Sequence, residues 1–173
     1  MATPAPEPAP LILTNASLKI AGTPLVADLK ELACVTNHIE ISPDVSTTTL
    51  DTMCGSRDYP GTVKWALIAS LYQSFDPDAT EEVLSAAVEG GEPVPFEVIG
   101  WRDKPVGVDN PAWTGMVIPQ PYSPINGDAG DASQVDIEWS IVGTPTKSTS
   151  PSALTAAQKA TDAEAKAATA AAA

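Results

Sequence analysis

Two segments between Ala33 and Phe75 alternate apolar and polar residues with the period of a half-buried strand. In the first, Ala33, Val35, Asn37, Ile39 and Ile41 share one parity and Thr36, His38 and Glu40 the other. In the second, Val63, Trp65, Leu67, Ala69 and Leu71 oppose Lys64, Ser70 and Tyr72. Between the two lies Ser42 to Thr62, dominated by Ser, Thr, Asp, Gly and Pro. A structureless connection of that length is uncommon inside a compact domain and is usually functional or disordered. The expectation is a small β domain that extends a long loop toward another molecule. The loop's charges are Asp44, Asp51 and Asp58 against a single cation, Arg57. Arg57 is therefore the candidate to pair with an acidic neighbour.

Around this pair the chain divides into three. Residues 1–10 hold Pro4, Pro6, Pro8 and Pro10 and are expected to form an extended arm. Residues 11–145 carry the strand patterns of one domain, and residues 146–173 collapse to Ala, Thr, Ser and Lys. That last stretch has helix propensity but almost no large apolar residue to dock it, so a disordered or marginally helical tail is expected.

Within the domain, Leu11, Leu13, Leu18 and Ile20 suggest a strand ending at Gly22, and Leu25 to Leu32 suits either a strand or a helical turn. The clearest helix spans Asp78–Glu89. Asp76 is placed to cap it, Pro77 suits its first turn, and Val83, Leu84, Ala87 and Val88 form one apolar stripe before Gly90 and Gly91. Val94, Phe96 and Val98 begin another strand, with Gly100 placed for a bulge before Trp101. Trp113, Gly115 and Val117 form one face of the next, and Pro119, Pro121 and Pro124 end it. The cleanest alternation comes last: Val135, Ile137, Trp139 and Ile141 inward, Gln134, Asp136, Glu138 and Ser140 outward. Trp65 and Trp139, both in phase with aliphatics, are the expected core aromatics.

Composition narrows the function. The net charge is −13, and residues 144–173 contribute +1, so the rest carries −14. Such a body is poorly suited to adhere to DNA or anionic membrane, because phosphate contacts need Lys and Arg. No Lys/Arg-led apolar segment opens the chain and no apolar run approaches ~20 residues, so neither a secretory signal nor a membrane helix is expected. Cys34 and Cys54 supply no disulfide framework. His38 is the only histidine. Cys34 and His38 share a strand parity, but a zinc site wants four ligands, and four residues along a strand put them ~13 Å apart. The segment Asn126 to Ser133 resembles a calcium loop without its closing glutamate, and a tight turn is the plainer reading. Asp136 with Glu138, or Glu81 with Glu82, could be drawn as acid–base pairs. A solvated strand face and a helix end explain them without chemistry. No catalytic residue, cofactor or metal site is expected.

The order of elements resembles the major tail protein, or tail tube protein, of long non-contractile-tailed phages. The strand Ala33–Ile41, the loop Ser42–Thr62, the strand Val63–Leu71, the helix Asp78–Glu89 and the strand Val135–Val142 carry the resemblance. So do the segments VKWALIASLYQSF and VDIEWSIVGTP, which look like the family's paired core strands. It covers roughly Leu11 to Pro145. The resemblance implies a mainly β fold, a β-sandwich or barrel with one flanking helix and a long inter-strand loop. It implies a structural subunit of a virion tail, assembled in the host cytoplasm. Homo-hexameric rings would stack into a tube that conducts DNA without binding it specifically. Tail terminator, tape measure and baseplate or distal tail proteins would be further partners. The loop, with Asp44, Asp51, Arg57 and Asp58, would bridge rings. On chemistry alone, Asp136 and Glu138 are the candidates to face the lumen. The rival reading is a β-sandwich recognition module, such as a capsid decoration or carbohydrate-binding domain, which would present exposed aromatics.

Overall fold

In the computed structural model, residues 15–150 are described. They form an eight-stranded antiparallel sheet, a single α-helix and two short 3-10 turns. The strands are β1 (Ser17–Ala21), β2 (Leu29–Glu31), β3 (Thr36–Thr52), β4 (Gly55–Tyr72), β5 (Val94–Ile99), β6 (Ala112–Ile118), β7 (Gln134–Ile141) and β8 (Thr146–Ser148). The helix α1 spans Thr80–Gly90. The sheet runs β2-β1-β5-β6-β7-β4-β3, with β8 paired to β6. No helix among the described residues is long and apolar enough to cross a membrane.

Strand β6 is the corner of the sheet. Its body pairs with β5 from Val94↔Val117 to Ile99↔Ala112, whereas only Val117↔Ile141 and Ile118↔Ser140 join it to β7. The two halves therefore fold over one another. Leu67, Ala69 and Leu71 of β4 and Val135, Ile137 and Trp139 of β7 meet Leu18 and Ile20 of β1 and Phe96 of β5 in one core. Val83, Leu84 and Ala87 of α1 join that core, as their helical spacing predicts. Gly115 faces the Phe96 ring so closely that a Cβ there would stand 2.8 Å from it. The mainly β fold with one flanking helix thus matches the expectation.

Several local readings are corrected. The connection Ser42–Thr62 is not an irregular loop. It is β structure, paired residue by residue up to Thr52↔Gly55 and closed by Met53 and Cys54. Gly55 sits at φ +115°, where glycine removes the steric cost. Strand β3 begins at Thr36, because Ala33–Val35 form a 3-10 turn, so Cys34 shares no strand face with His38. Helix α1 begins at Thr80 after Ala79, not at Asp78. Asp78 is held at φ +60°, which breaks helical continuity, and its N–H donates to the Glu82 carboxylate at 2.8 Å. Asp76 and Pro77 lie in the preceding turn. Gly100 ends β5 rather than bulging it. The sheet also runs past residue 145, since Thr146–Ser148 pair with Ala112–Thr114 as β8. The arm at residues 1–10, Leu11, Leu13 and residues 151–173 lie outside the described residues.

Candidate assembly interface

The long hairpin of β3 and β4 has a stem and an arm. In the stem, β4 is central, flanked by β3 and β7, and its Leu67, Ala69 and Leu71 are buried. A register shift between Val45 and Thr47, where Gly61 and Thr62 stand opposite Ser46, marks the bend into the arm. Beyond it the ribbon has no third strand among the described residues. Thr49, Asp51, Ser56 and Asp58 share one side of the arm, and the Asp58 carboxylate accepts from the Thr49 hydroxyl at 2.6 Å. Asp51 accepts likewise from Ser56. The other side brings Leu50 opposite Arg57 beside Tyr59, with Leu50 and Tyr59 about half exposed. Met53 at the tip is fully exposed. Asp44 stands opposite Lys64 just before the bend. Asp51, Arg57 and Asp58 are therefore carried on a paired ribbon, not on a slack loop.

Asp136 and Glu138 lie on the exposed face of β7. Register extends that face across three strands. Asp136 aligns with Ser70 and His38, and Glu138 with Ile68 and Glu40. Ser70 donates its hydroxyl to Asp136. His38 Nε2 lies 3.7 Å from the Glu40 carboxylate. The result is a broad acidic sheet face running toward Asp44 and Lys64.

The two expected core tryptophans separate. Trp139 is fully buried, but Trp65 is only partly buried and packs against the core from its edge. Trp65 lines an apolar cleft of about 320 Å³ between the sheet halves, together with Ile39, Ile41, Val98, Trp101 and Trp113. Glu40 and Asp109 also border it. Asn110 stiffens the far wall. Its side-chain amide donates to the carbonyls of Trp101 (2.8 Å) and Lys104 (2.9 Å), and its Oδ1 accepts from the Trp101 N–H at 3.0 Å. Lys104 stacks over the Trp101 ring at 3.7 Å, and Lys147 lies over Trp113 at 5.8 Å. Sequence reading did not find this cleft. Its walls come from distant segments, and Lys147 lies in the stretch read as tail.

The carboxylates weighed as acid–base pairs have structural partners. Glu81 accepts from Gln73 Nε2 at 2.6 Å and from the Tyr122 hydroxyl at 3.1 Å. Burial, reinforced by Glu81, raises the Tyr122 hydroxyl well above the ordinary tyrosine range. Glu82 caps Asp78. Cys34 accepts a 3.4 Å contact from the Arg102 guanidinium, and Cys54 is exposed at the arm's tip. Among the described residues no group of three or more His, Cys, Asp or Glu converges to hold a metal.

No family model matches the sequence, and no curated protein matches it. Solved structures do match in fold. The SPP1 tail tube aligns at a TM-score of 0.59 and 14% identity, over 84% of this chain and 85% of that one. The chain has a tail tube fold. The tail of an empty gene transfer agent particle, refined with C6 symmetry, aligns at 0.56 and 12% identity, over 78% and 96%. The sheath–tube complex of PVC, an extracellular contractile injection system, aligns at 0.55 and 12%, over 80% and 91%. This tail tube fold agrees with the resemblance read from the order of elements.

Proposed function

We propose that the chain is a structural subunit of a virion tail tube, assembling in the host cytoplasm into stacked hexameric rings around a DNA conduit. The observation that carries this reading is the hairpin arm. Two paired strands run some eight residues beyond the stem, expose apolar side chains on one side, and end in a bare methionine. A monomer gains nothing from such a ribbon, since an isolated two-stranded hairpin is marginal in water. It becomes useful when a neighbouring subunit covers it. In this reading Asp44, Asp51, Arg57 and Asp58 bridge rings.

The sheet edges fit the same scheme. Strands β2 and β3 end the sheet, and β3 is 17 residues long. Joining such edges between subunits into a closed barrel removes an aggregation hazard. The C6 symmetry of the gene transfer agent tail supports six subunits per ring. The acidic face carrying Asp136 and Glu138 then lines the lumen, where phosphate is repelled and DNA slides. Tail terminator, tape measure and baseplate or distal tail proteins would contact the tube ends or lumen.

Negative-stain microscopy of the purified protein over a range of concentrations tests the reading. Tubes or six-fold rings are the expected result. Replacing residues 46–61 by a tight turn should keep the melting temperature of the body and abolish tubes. Long tubes from the shortened protein would remove the arm from the assembly mechanism, and a wild-type protein that stays monomeric would overturn the tube reading itself.

A further inference from the structure

Resting on the tail tube reading, we propose that the tryptophan cleft of one subunit is the socket for the hairpin tip of a second copy. Leu50 and Met53 of the arm would enter between Trp65, Trp101 and Trp113.

Shape and polarity support this occupant. The cleft holds about 320 Å³ and is apolar in its walls, room for one or two aliphatic side chains. Asn110 ties the Trp101 loop through three hydrogen bonds, so the socket is formed before anything enters it. Leu50 and Met53 are exposed large apolar residues at the free end of the arm. Burying both on a partner removes apolar surface from water at the one place where the ribbon cannot bury it alone.

Charge supports it on both sides. In an acidic body, Lys104 and Lys147 ride on Trp101 and Trp113 at the socket rim and form no salt bridge among the described residues, whereas Lys19, Lys30 and Arg102 are each bridged to a carboxylate. Asp51 and Asp58 share one side of the arm and suit those lysines. Arg57 sits with Leu50 on the other side and suits Asp109, which borders the cleft. One ribbon presents two faces of opposite charge, and the socket is bordered by both signs.

The arm cannot fill its own socket. Trp65 stands at the arm's base, paired with Pro43, and the tip lies eight residues beyond the Asp44–Lys64 pair. At ~3.4 Å per residue that is about 27 Å of paired ribbon. One bulge bends such a ribbon without returning its end to its base. The contact is made between copies.

Full-length protein carrying Lys104→Glu with Lys147→Glu, and full-length protein carrying Asp51→Lys with Asp58→Lys, are compared with wild type by sedimentation and microscopy. Each pair should raise the concentration at which tubes form roughly tenfold or more at low salt. Combining all four should restore assembly. Independently, Lys104→Cys in a Cys34→Ser background, treated with oxidised glutathione, should trap a dimer through Cys54 of a second copy that the Cys34→Ser protein alone does not form. This trap decides the matter even if a charge variant folds poorly, because Lys104 is exposed. Charge variants that assemble at the wild-type concentration, with no trapped dimer, would overturn the socket while leaving the tube reading intact. If deletion of residues 1–13 stops assembly while the charge variants assemble normally, the chain's own amino-terminal segment is the occupant and the proposal fails. A wild-type protein that never assembles would sink both.

Discussion

The indole N–H of Trp139 donates a 3.1 Å hydrogen bond to the carbonyl of Gln120, joining the fully buried middle of β7 to the proline-rich segment after β6. Trp139 is the largest fully buried side chain. Its replacement by alanine removes both the packing and the tie, and should cost ~3–5 kcal/mol, a large part of a small domain's stability. Trp139→Phe keeps most of the volume and loses the donor, so its cost should be about 1–3 kcal/mol. Urea titration of the three proteins measures the ladder. A wild-type midpoint for Trp139→Ala would contradict the burial.

The carboxy-terminal boundary makes a second prediction. Truncation after Ser150 should leave the melting temperature nearly unchanged. The deleted residues hold one leucine and otherwise small or polar side chains, too little apolar surface to offset ordering costs of ~1–2 kcal/mol per residue. Truncation after Thr144 is different. It removes β8, its pairing with Ala112–Thr114, and Lys147 over the Trp113 ring. That shorter protein should melt several degrees lower. Equal melting of both truncations would show that β8 adds nothing to the body.

Tyr122 predicts an alkaline instability. Burial is the first cause of its raised pKa, and the hydrogen bond and charge of Glu81 follow. The neutral phenol is thus favoured in the folded state. Below the unfolded tyrosine value, near 10, this contribution is fully present. As pH rises above that value the unfolded chain loses its proton first and the contribution declines. Tyr122→Phe should lower stability at neutral pH modestly, and its stability should fall less between pH ~9 and ~11.5 than that of wild type. Parallel curves for the two proteins would exclude Tyr122 as the titrating group.

The elements most legible in the sequence were those with one buried and one wet face. Strand β7 alternates buried and exposed residues along its length, because each side chain on one face meets the core. The arm shows the converse. Neither of its faces is buried, so hydrophobic alternation vanishes while backbone pairing continues. Its run of threonines, Thr47 to Thr49, held a β preference that composition alone read as a loop. The start of α1 was misread because Asp76 and Pro77 carry a plausible cap whose outcome depends on Asp78 turning left-handed. Strand β5 was legible from Val94, Phe96 and Val98, but the role of its Glu97 was not. Glu97 is buried at 1% exposure, bridged at 2.9 Å to Lys19 on the adjacent strand β1. A local window sees only a charge, and its register partner lies 78 residues away.

The acidic face of β7 carries the last prediction. If the protein forms a tube with this face inward, wild-type tubes should bind double-stranded DNA weakly, because Glu40, Asp136 and Glu138 repel phosphate where few cations compensate. Replacing Asp136 and Glu138 by lysine should leave the fold intact, since exposed strand substitutions usually stay within ~0.5 kcal/mol. Loss of the Ser70 hydroxyl partner at Asp136 is tolerable there, as water can replace it. Two lysines per subunit, repeated around and along the tube, convert a repelling wall into one that releases counterions on contact with DNA. Co-sedimentation of DNA with preassembled tubes should therefore rise sharply in the double variant and fall again with added salt. Tubes of the variant that assemble yet retain no more DNA than wild type would move this face to the outer wall or to a seam between subunits. The arm and its socket would be unaffected by that result, because they lie on the hairpin extension and the opposite side of the sheet.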